Sequence, residues 1–213
     1  MSAAAQGRTG VSLGALTSAG LFTLPGFLTE AGCAELCSVM RSGATVTATI
    51  ARGGRDHVLD TRIRRTSGVF VPAQLQHTIR AGLAALRPRL AEHFRVALGD
   101  PEEPQFLAYR KGDFFRPHQD NTRDPGLPAF IRRRRVSVVL FLGRQTRLPE
   151  PDSYCGGELT FFRLPGLPGD DGIRARLWGQ PGLLVAFGSG QLHEVAPVTH
   201  GFRASMVTWF PEP

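Results

Sequence analysis

Lysine is nearly missing from this chain. Lys111 is the only one, so 24 of the 25 basic residues are arginine, set against 18 acidic residues for a formal charge of +7. So one-sided a cation set reflects coding bias more than a surface shaped for phosphates, and charge alone assigns no nucleic-acid partner. Cysteine is scarce too. Cys33, Cys37 and Cys155 are an odd count that excludes a disulfide framework and fits a reducing compartment, so a cytoplasmic location is expected. No third thiol or histidine stands near Cys33 and Cys37 at zinc-finger spacing, which leaves them as small buried residues on one helix face. Long apolar runs are also missing. Residues 11–22 are interrupted by Ser12, Gly14, Thr17, Ser18 and Gly20, which make neither a membrane span nor a signal-peptide core.

What is present describes one domain. A length of 213 residues with 42% hydrophobic content is enough for a single sizeable core. Residues 1–20 are small and polar without a period and are expected to be a flexible tail, so the domain occupies 21–213. Thr29 is placed to cap a helix over 30–41, whose Cys33, Leu36, Cys37 and Met40 recur at helical spacing. A second helix is expected over 72–98 from the spacing of Leu75, Ile79, Leu83, Leu86, Leu90 and Phe94, bent or divided at Pro88. Between them, 42–67 reads as an edge strand followed by a long loop, and 121–134 as a second loop. After Pro104 short apolar runs alternate with Gly and Pro, predicting strands over 105–110, 114–119, 136–142, 158–162, 182–187, 191–195 and 204–210. Helices followed by many short strands predict a mainly β, α+β fold: a sandwich or jelly roll with the helices packed on one sheet.

The chemistry is concentrated in the strands. Residues two apart on a strand share a face, so His118 and Asp120 of His118-Gln119-Asp120 can present an imidazole and a carboxylate to one point. With six histidines in the chain such a frame also arises readily by chance. His193, which follows the apolar run 183–187, supplies a third ligand, with His200 as its rival, while His57, His77 and His93 precede the strand-rich region. Two histidines and one carboxylate leave adjacent coordination positions open, the arrangement of non-haem Fe(II) oxygenases. Ten residues on, Arg203 can grip the far carboxylate of a dicarboxylate, and it shares a strand face with Ser205, Val207 and Trp209. Gly156 and Gly157 read as a turn without chemistry, the run 132–135 as a solvated loop end, and Asp170 and Asp171 as a loop tip.

These motifs together resemble the Fe(II)/2-oxoglutarate-dependent oxygenases, most closely the catalytic domain of prolyl 4-hydroxylases, over residues 24–211. Phe27-Leu28-Thr29 entering a helix and Arg65-Thr66-Ser67-Gly68 before the next are similar to the family's N-terminal elements. Tyr109, Gly112, Phe115 and Pro117 leading into His118-Gln119-Asp120 resemble its central motif, with Phe115 where the family often has tyrosine. Residues 135–142 and Gly156-Gly157-Glu158 into 159–162 are similar to its central strand pair, and His193-Glu194-Val195-Ala196-Pro197 with Gly201, Arg203 and Trp209 to its closing series. The resemblance implies a double-stranded β-helix and Fe(II) held by His118, Asp120 and His193. It places 2-oxoglutarate with Tyr109, Arg203 and Ser205, and the substrate near Arg116 and Trp209. It further implies O2 as oxidant, ascorbate as an accessory reductant, and hydroxylation of a peptidyl side chain, proline first, with release of succinate and CO2. A peptide or protein substrate is expected ahead of a free amino acid or other small metabolite. Nucleic-acid demethylation is weaker still, because Trp209 stands where that class carries a further arginine. No membrane partner is expected.

Overall fold

Side-chain alternation along the strand Arg203–Pro211 divides the molecule into its two halves. Ala204, Met206 and Phe210 point to one side of the sheet and are fully buried, whereas Arg203, Ser205, Val207 and Trp209 face the other way. In this computed structural model, which describes residues 12–52, 55–122, 126–164 and 174–213, that strand is near the middle of a seven-stranded antiparallel sheet. The order is Phe22–Leu24, Leu184–Gly188, Arg134–Phe141, Arg203–Pro211, Gln105–Tyr109, Ser67–Val69 and Thr45–Thr47. A second antiparallel sheet orders Arg174–Leu177, Leu159–Phe162, His193–Val195, Phe114–His118 and Arg64–Arg65. From residue 105 onward the chain passes back and forth between the two sheets, apart from the pair Leu159–Phe162 and Arg174–Leu177 within the smaller one, so strands close in sequence line opposite walls of one cavity.

Two cores hold this arrangement. The helix Glu30–Ser42, capped by the Thr29 hydroxyl accepting from the Gly32 N–H at 3.1 Å, lies with the helix Ala73–Phe94 against the outer face of the larger sheet. Leu36, Met40, Ile79, Leu83 and Leu90 pack there on Phe106, Val138, Leu140, Met206 and Phe210. The second core lies between the sheets, where Val139, Phe141, Val185 and Phe187 meet Leu159, Phe161, Ala175 and Leu177. Valine and leucine recur on both faces of Arg134–Phe141 because both faces are covered.

Several expectations are corrected. The second helix is continuous through Pro88 and stops at Arg95, whose left-handed conformation (φ 54°) turns the chain so that Leu98 also enters the outer core. Residues 1–11 lie outside the described residues, but the rest of the supposed tail is structured. Ser12 caps a helix Leu13–Ser18, and Leu16 is fully buried in the inter-sheet core. Six residues are too few to display a helical period, so nothing in the sequence marked them. The expected loop over 42–67 contains the hairpin Ile50–Arg52 with Arg55–Val58 and the edge strand Arg64–Arg65. Likewise Arg144–Gln145, Ser153–Gly156 and Val198–Gly201 form a small three-stranded sheet that their short, non-alternating sequences did not signal. Among the described residues all three cysteines are free, and burial pushes the Cys33 and Cys37 thiols up to about 11. No described helix is long and apolar enough to cross a membrane.

Leu83 is fully buried between the second helix and the larger sheet. Leu83→Ala should lower unfolding stability by about 2–5 kcal/mol, read as a drop in the urea midpoint with an unchanged slope.

Candidate functional site

Strand pairing brings the two histidines together. In the register between His193–Val195 and Phe114–His118, His193 lies directly opposite His118, and their ring centroids are 4.2 Å apart. Asp120 follows two residues later, where its N–H and that of Asn121 both donate to the Ser189 carbonyl at 3.0 Å. Its carboxylate oxygens lie 3.7 Å from Nε2 of His118 and 3.7 Å from Nε2 of His193, and the candidate ligand atoms of the three residues fall within 4.8 Å of one another.

The same local device orients both rings. Nδ1 of His118 lies 2.8 Å from the Arg116 carbonyl, and Nδ1 of His193 lies 2.9 Å from the Gln191 carbonyl, each two residues back along the chain. A proton on Nδ1 satisfies the carbonyl and leaves the Nε2 lone pair directed at Asp120. Burial, reinforced by the neighbouring His193, pushes His118 down to about 3. Burial by itself would raise Asp120, but His193, His118 and hydrogen bonds from the Ser137 and Trp209 side chains hold its carboxyl below the ordinary range. Around neutral pH Nε2 of His118 and the Asp120 carboxylate thus carry no proton for a cation to displace. The set opens onto a cavity of about 860 Å³.

A bulge decides which neighbours belong to this site. Val195 pairs with Phe115 while His193 pairs with His118, so three steps on one strand oppose two on the other. Phe115 is thereby turned to the same side as His118, and the two rings stack with centroids 3.4 Å apart. Arg116 is left on the outside. It is exposed, its guanidinium lies 5.1 Å over Phe114, its Nε donates to the Arg62 carbonyl at 3.3 Å, and it does not line the cavity. His200 is exposed and lies outside the cavity, His93 reaches the Gly20 carbonyl, and the His57 side chain lies outside the described residues. The rival third ligand is thus not brought to the site.

Deeper in the same cavity, Arg203 is only 1% exposed. Its Nε donates to the Gly157 carbonyl at 2.9 Å and its Nη1 to the Ser205 hydroxyl at 2.9 Å, while its cross-strand partner Tyr109 presents a ring 4.9 Å from the guanidinium. Among the described residues no carboxylate lies within 4.0 Å of it, so a buried cation is held by neutral partners alone. Gly157 is more than the turn residue expected. At φ +67° a Cβ there would meet the Arg203 Cδ at 2.9 Å, so glycine is what lets the backbone carbonyl approach the guanidinium. Beside Arg203 the Tyr154 hydroxyl is fully enclosed, and burial pushes it up to about 12 against the opposing pull of the arginine. Trp209 lines the cavity as its strand face requires, with the Arg134 guanidinium 3.6 Å above its ring; Arg134 is itself paired with Glu102 through contacts of 2.8 and 2.6 Å.

Comparison with known proteins agrees with this geometry. Residues 104–211 match the model of the 2OG-Fe(II) oxygenase superfamily. A PKHD-type hydroxylase of Burkholderia ambifaria is 30% identical over 188 residues, covering 87% of this chain and 75% of that protein. PKHD-type hydroxylases of Maricaulis maris and Paraburkholderia xenovorans are 36% and 37% identical over 101 and 107 residues. Those matches cover 47% and 50% of this chain, and only 38% and 41% of the relatives. Among solved structures, a Pseudomonas putida prolyl-4-hydroxylase superposes with a TM-score of 0.68 at 25% identity, covering 93% of this chain and 95% of that one. The prolyl hydroxylase of Trichoplax adhaerens, solved with a hypoxia inducible factor peptide fragment, gives 0.67 at 19% identity over 93% and 86%, a likeness of fold. The chain belongs to the 2OG-Fe(II) oxygenase superfamily, whose members use Fe(II), 2-oxoglutarate and O2, and its architecture is that of the prolyl hydroxylases.

The depressed titration of His118 has a measurable sign. Between its ordinary 6.5 and about 3 the unfolded chain binds a proton that the folded, metal-free protein refuses, so stability declines as pH falls through that window. The lowered Asp120 adds a loss of the same sign at the acid end. The thermal midpoint of metal-free protein should fall on acidification below about 6.5, and His118→Gln should flatten that slope.

Proposed function

We propose that this chain is an Fe(II)- and 2-oxoglutarate-dependent dioxygenase that hydroxylates a peptidyl side chain, with proline the first candidate. The observation that carries the reading is Arg203, a buried cation with no carboxylate partner among the described residues, lining the same cavity as the three clustered metal-ligand candidates. The alternation of strands between two facing sheets is read as a double-stranded β-helix, with 21–213 as one oxygenase domain to which the helix Leu13–Ser18 also belongs.

In this reading Nε2 of His118, Nε2 of His193 and the Asp120 carboxylate would hold the iron. Arg203 takes the far carboxylate of 2-oxoglutarate by charge-assisted hydrogen bonds, with Ser205 and Tyr109 beside it. Gly157 anchors Nε and so aims the rest of the guanidinium. Bound there, iron with 2-oxoglutarate and O2 supplies oxidative decarboxylation to succinate and CO2 coupled to insertion of one oxygen atom into a C–H bond. The protein's own contribution is placement and exclusion of water: Leu107, Tyr109, Phe115, Val195 and Val207 form an apolar lining that keeps bulk solvent from the polar groups. His193 and His118, with smaller contributions from Ser137 and Trp209, favour the charged form of the Asp120 carboxylate. A peptide is favoured over a smaller substrate by the cavity mouth, where exposed Val46, Phe70 and Phe130 offer apolar surface well beyond what one amino acid would cover.

Incubation with Fe(II), 2-oxoglutarate and a panel of proline-containing peptides should give a mass gain of one oxygen atom together with succinate; turnover confined to small molecules would refute the peptidyl assignment. Ala at His118, Asp120 or His193 should abolish Fe(II) binding and turnover, whereas His200→Ala should retain both. Arg203→Gln should raise the 2-oxoglutarate requirement by on the order of 30-fold or more while Fe(II) binding persists, as expected when a buried charged partner is removed.

A further inference from the structure

The stretch expected to be a loop delivers a second arginine to the cavity. Arg64 lies on the edge strand Arg64–Arg65 of the smaller sheet, opposite Phe115 in register, and lines the cavity from the wall facing the strand that carries Arg203. Its guanidinium sits 4.8 Å over the Phe115 ring, which in turn stacks on His118, so the cation is held within one ring's thickness of the candidate metal ligands.

This arginine is poorly satisfied. Its one hydrogen bond among the described residues runs from Nη1 to the Thr49 carbonyl at 2.9 Å, its Nε is enclosed without an acceptor, and no described carboxylate lies within 4.0 Å. Burial lowers its pKa, and the countering influences come from Tyr109 and Asp120 across the cavity. The other arginines of the cavity differ in this respect. Arg134 is neutralised by Glu102, and Arg203 has the 2-oxoglutarate carboxylate in the reading above. Asp120 is the lone carboxylate lining the cavity among the described residues, and the metal claims it. With a divalent metal and a dianionic co-substrate in place, one positive charge in the cavity still has no counter-charge among the described residues. A partly buried guanidinium at such a position is stabilised by an anion arriving from outside. Choice of arginine over lysine means nothing in a chain with a single lysine; the position is the signal.

We infer that Arg64 recognises the substrate, binding a carboxylate that the substrate carries close to the hydroxylated carbon. Candidate sources are a free amino acid, the C-terminal residue of a peptide, or an aspartate or glutamate beside the target. The inference rests on the proposed oxygenase function and narrows it from a peptidyl or small substrate in general to an acidic one. Phe115 suits that role because it offers a flat face for the guanidinium and no hydroxyl that would compete for it.

The test uses oxygen-free protein loaded with Fe(II) and 2-oxoglutarate, with formate and formamide as probes at constant ionic strength and the thermal unfolding midpoint as the readout. Formate should raise the midpoint of the wild-type protein and formamide should not. Arg64→Gln should remove the formate shift, and Arg64→Lys, which keeps the charge, should retain part of it. A formate shift that survives Arg64→Gln places the anion elsewhere, for example on the metal, and overturns the inference. So does a loss of 2-oxoglutarate affinity in Arg64→Gln as large as that in Arg203→Gln, since Arg64 would then serve the co-substrate. Failure of the underlying function looks different: wild-type protein would bind no 2-oxoglutarate at all, which removes both readings. Displacement of formate by L-proline, by a peptide with a free C-terminus, or by an end-blocked peptide containing aspartate identifies the source of the carboxylate. End-blocked peptides without any carboxylate that bind wild type and Arg64→Gln equally well would refute the assignment.

Discussion

The pairing of His193 against His118 is the contact on which the site depends. Backbone hydrogen bonds between two strands of the smaller sheet set the imidazoles 4.2 Å apart, and a carbonyl two residues before each histidine fixes which nitrogen is free. No side chain needs to find its place alone. Ladder geometry positions both rings to within a rotamer, and Asp120 is added by a backbone clamp onto Ser189. A shift of one residue in this register would turn one imidazole to the opposite face of the sheet, so metal binding and strand pairing are the same constraint.

The larger sheet does the complementary task with a different means. Its central strand has one face sealed by helices and the other open to the cavity, so Met206 and Phe210 lock the strand while Arg203, Ser205 and Trp209 are displayed from it. Packing on the outer face thus sets the precision of the inner one. Gly157 supplies the remaining degree of control, because removing a side chain there brings a carbonyl onto the Arg203 Nε at 2.9 Å.

Charge is distributed through the cavity with evident differences in pairing. Arg134 is closed by Glu102 and stacked on Trp209, making it part of the wall. Arg203 is buried and Arg64 partly so, one on each wall, and neither has a carboxylate partner among the described residues. Between them lies a ligand set whose carboxylate is ionised and whose His118 is neutral at ordinary pH. Among the described residues the unpaired charges of the cavity are therefore positive apart from Asp120, which suits anions entering as co-substrate and substrate.

Much of this was readable from residue order. The spacing of His118 and Asp120, the parity that puts Arg203, Ser205 and Trp209 on one face, and the helical periods at 33–40 and 75–90 are local patterns, and local patterns decide which way a side chain faces. What the sequence could not decide is what each face meets. A bulge that depends on pairing with a strand some 75 residues away sent Phe115 into the cavity and Arg116 out of it, although alternation alone pointed the other way. Gly157 became a support for Arg203, and Arg64 became a cavity residue within an expected loop, for the same reason. Backbone dihedrals carry the periodicity, but register, bulges and the absence of a counter-charge are properties of chains brought together from far apart, and these exist only once the two sheets have closed on each other.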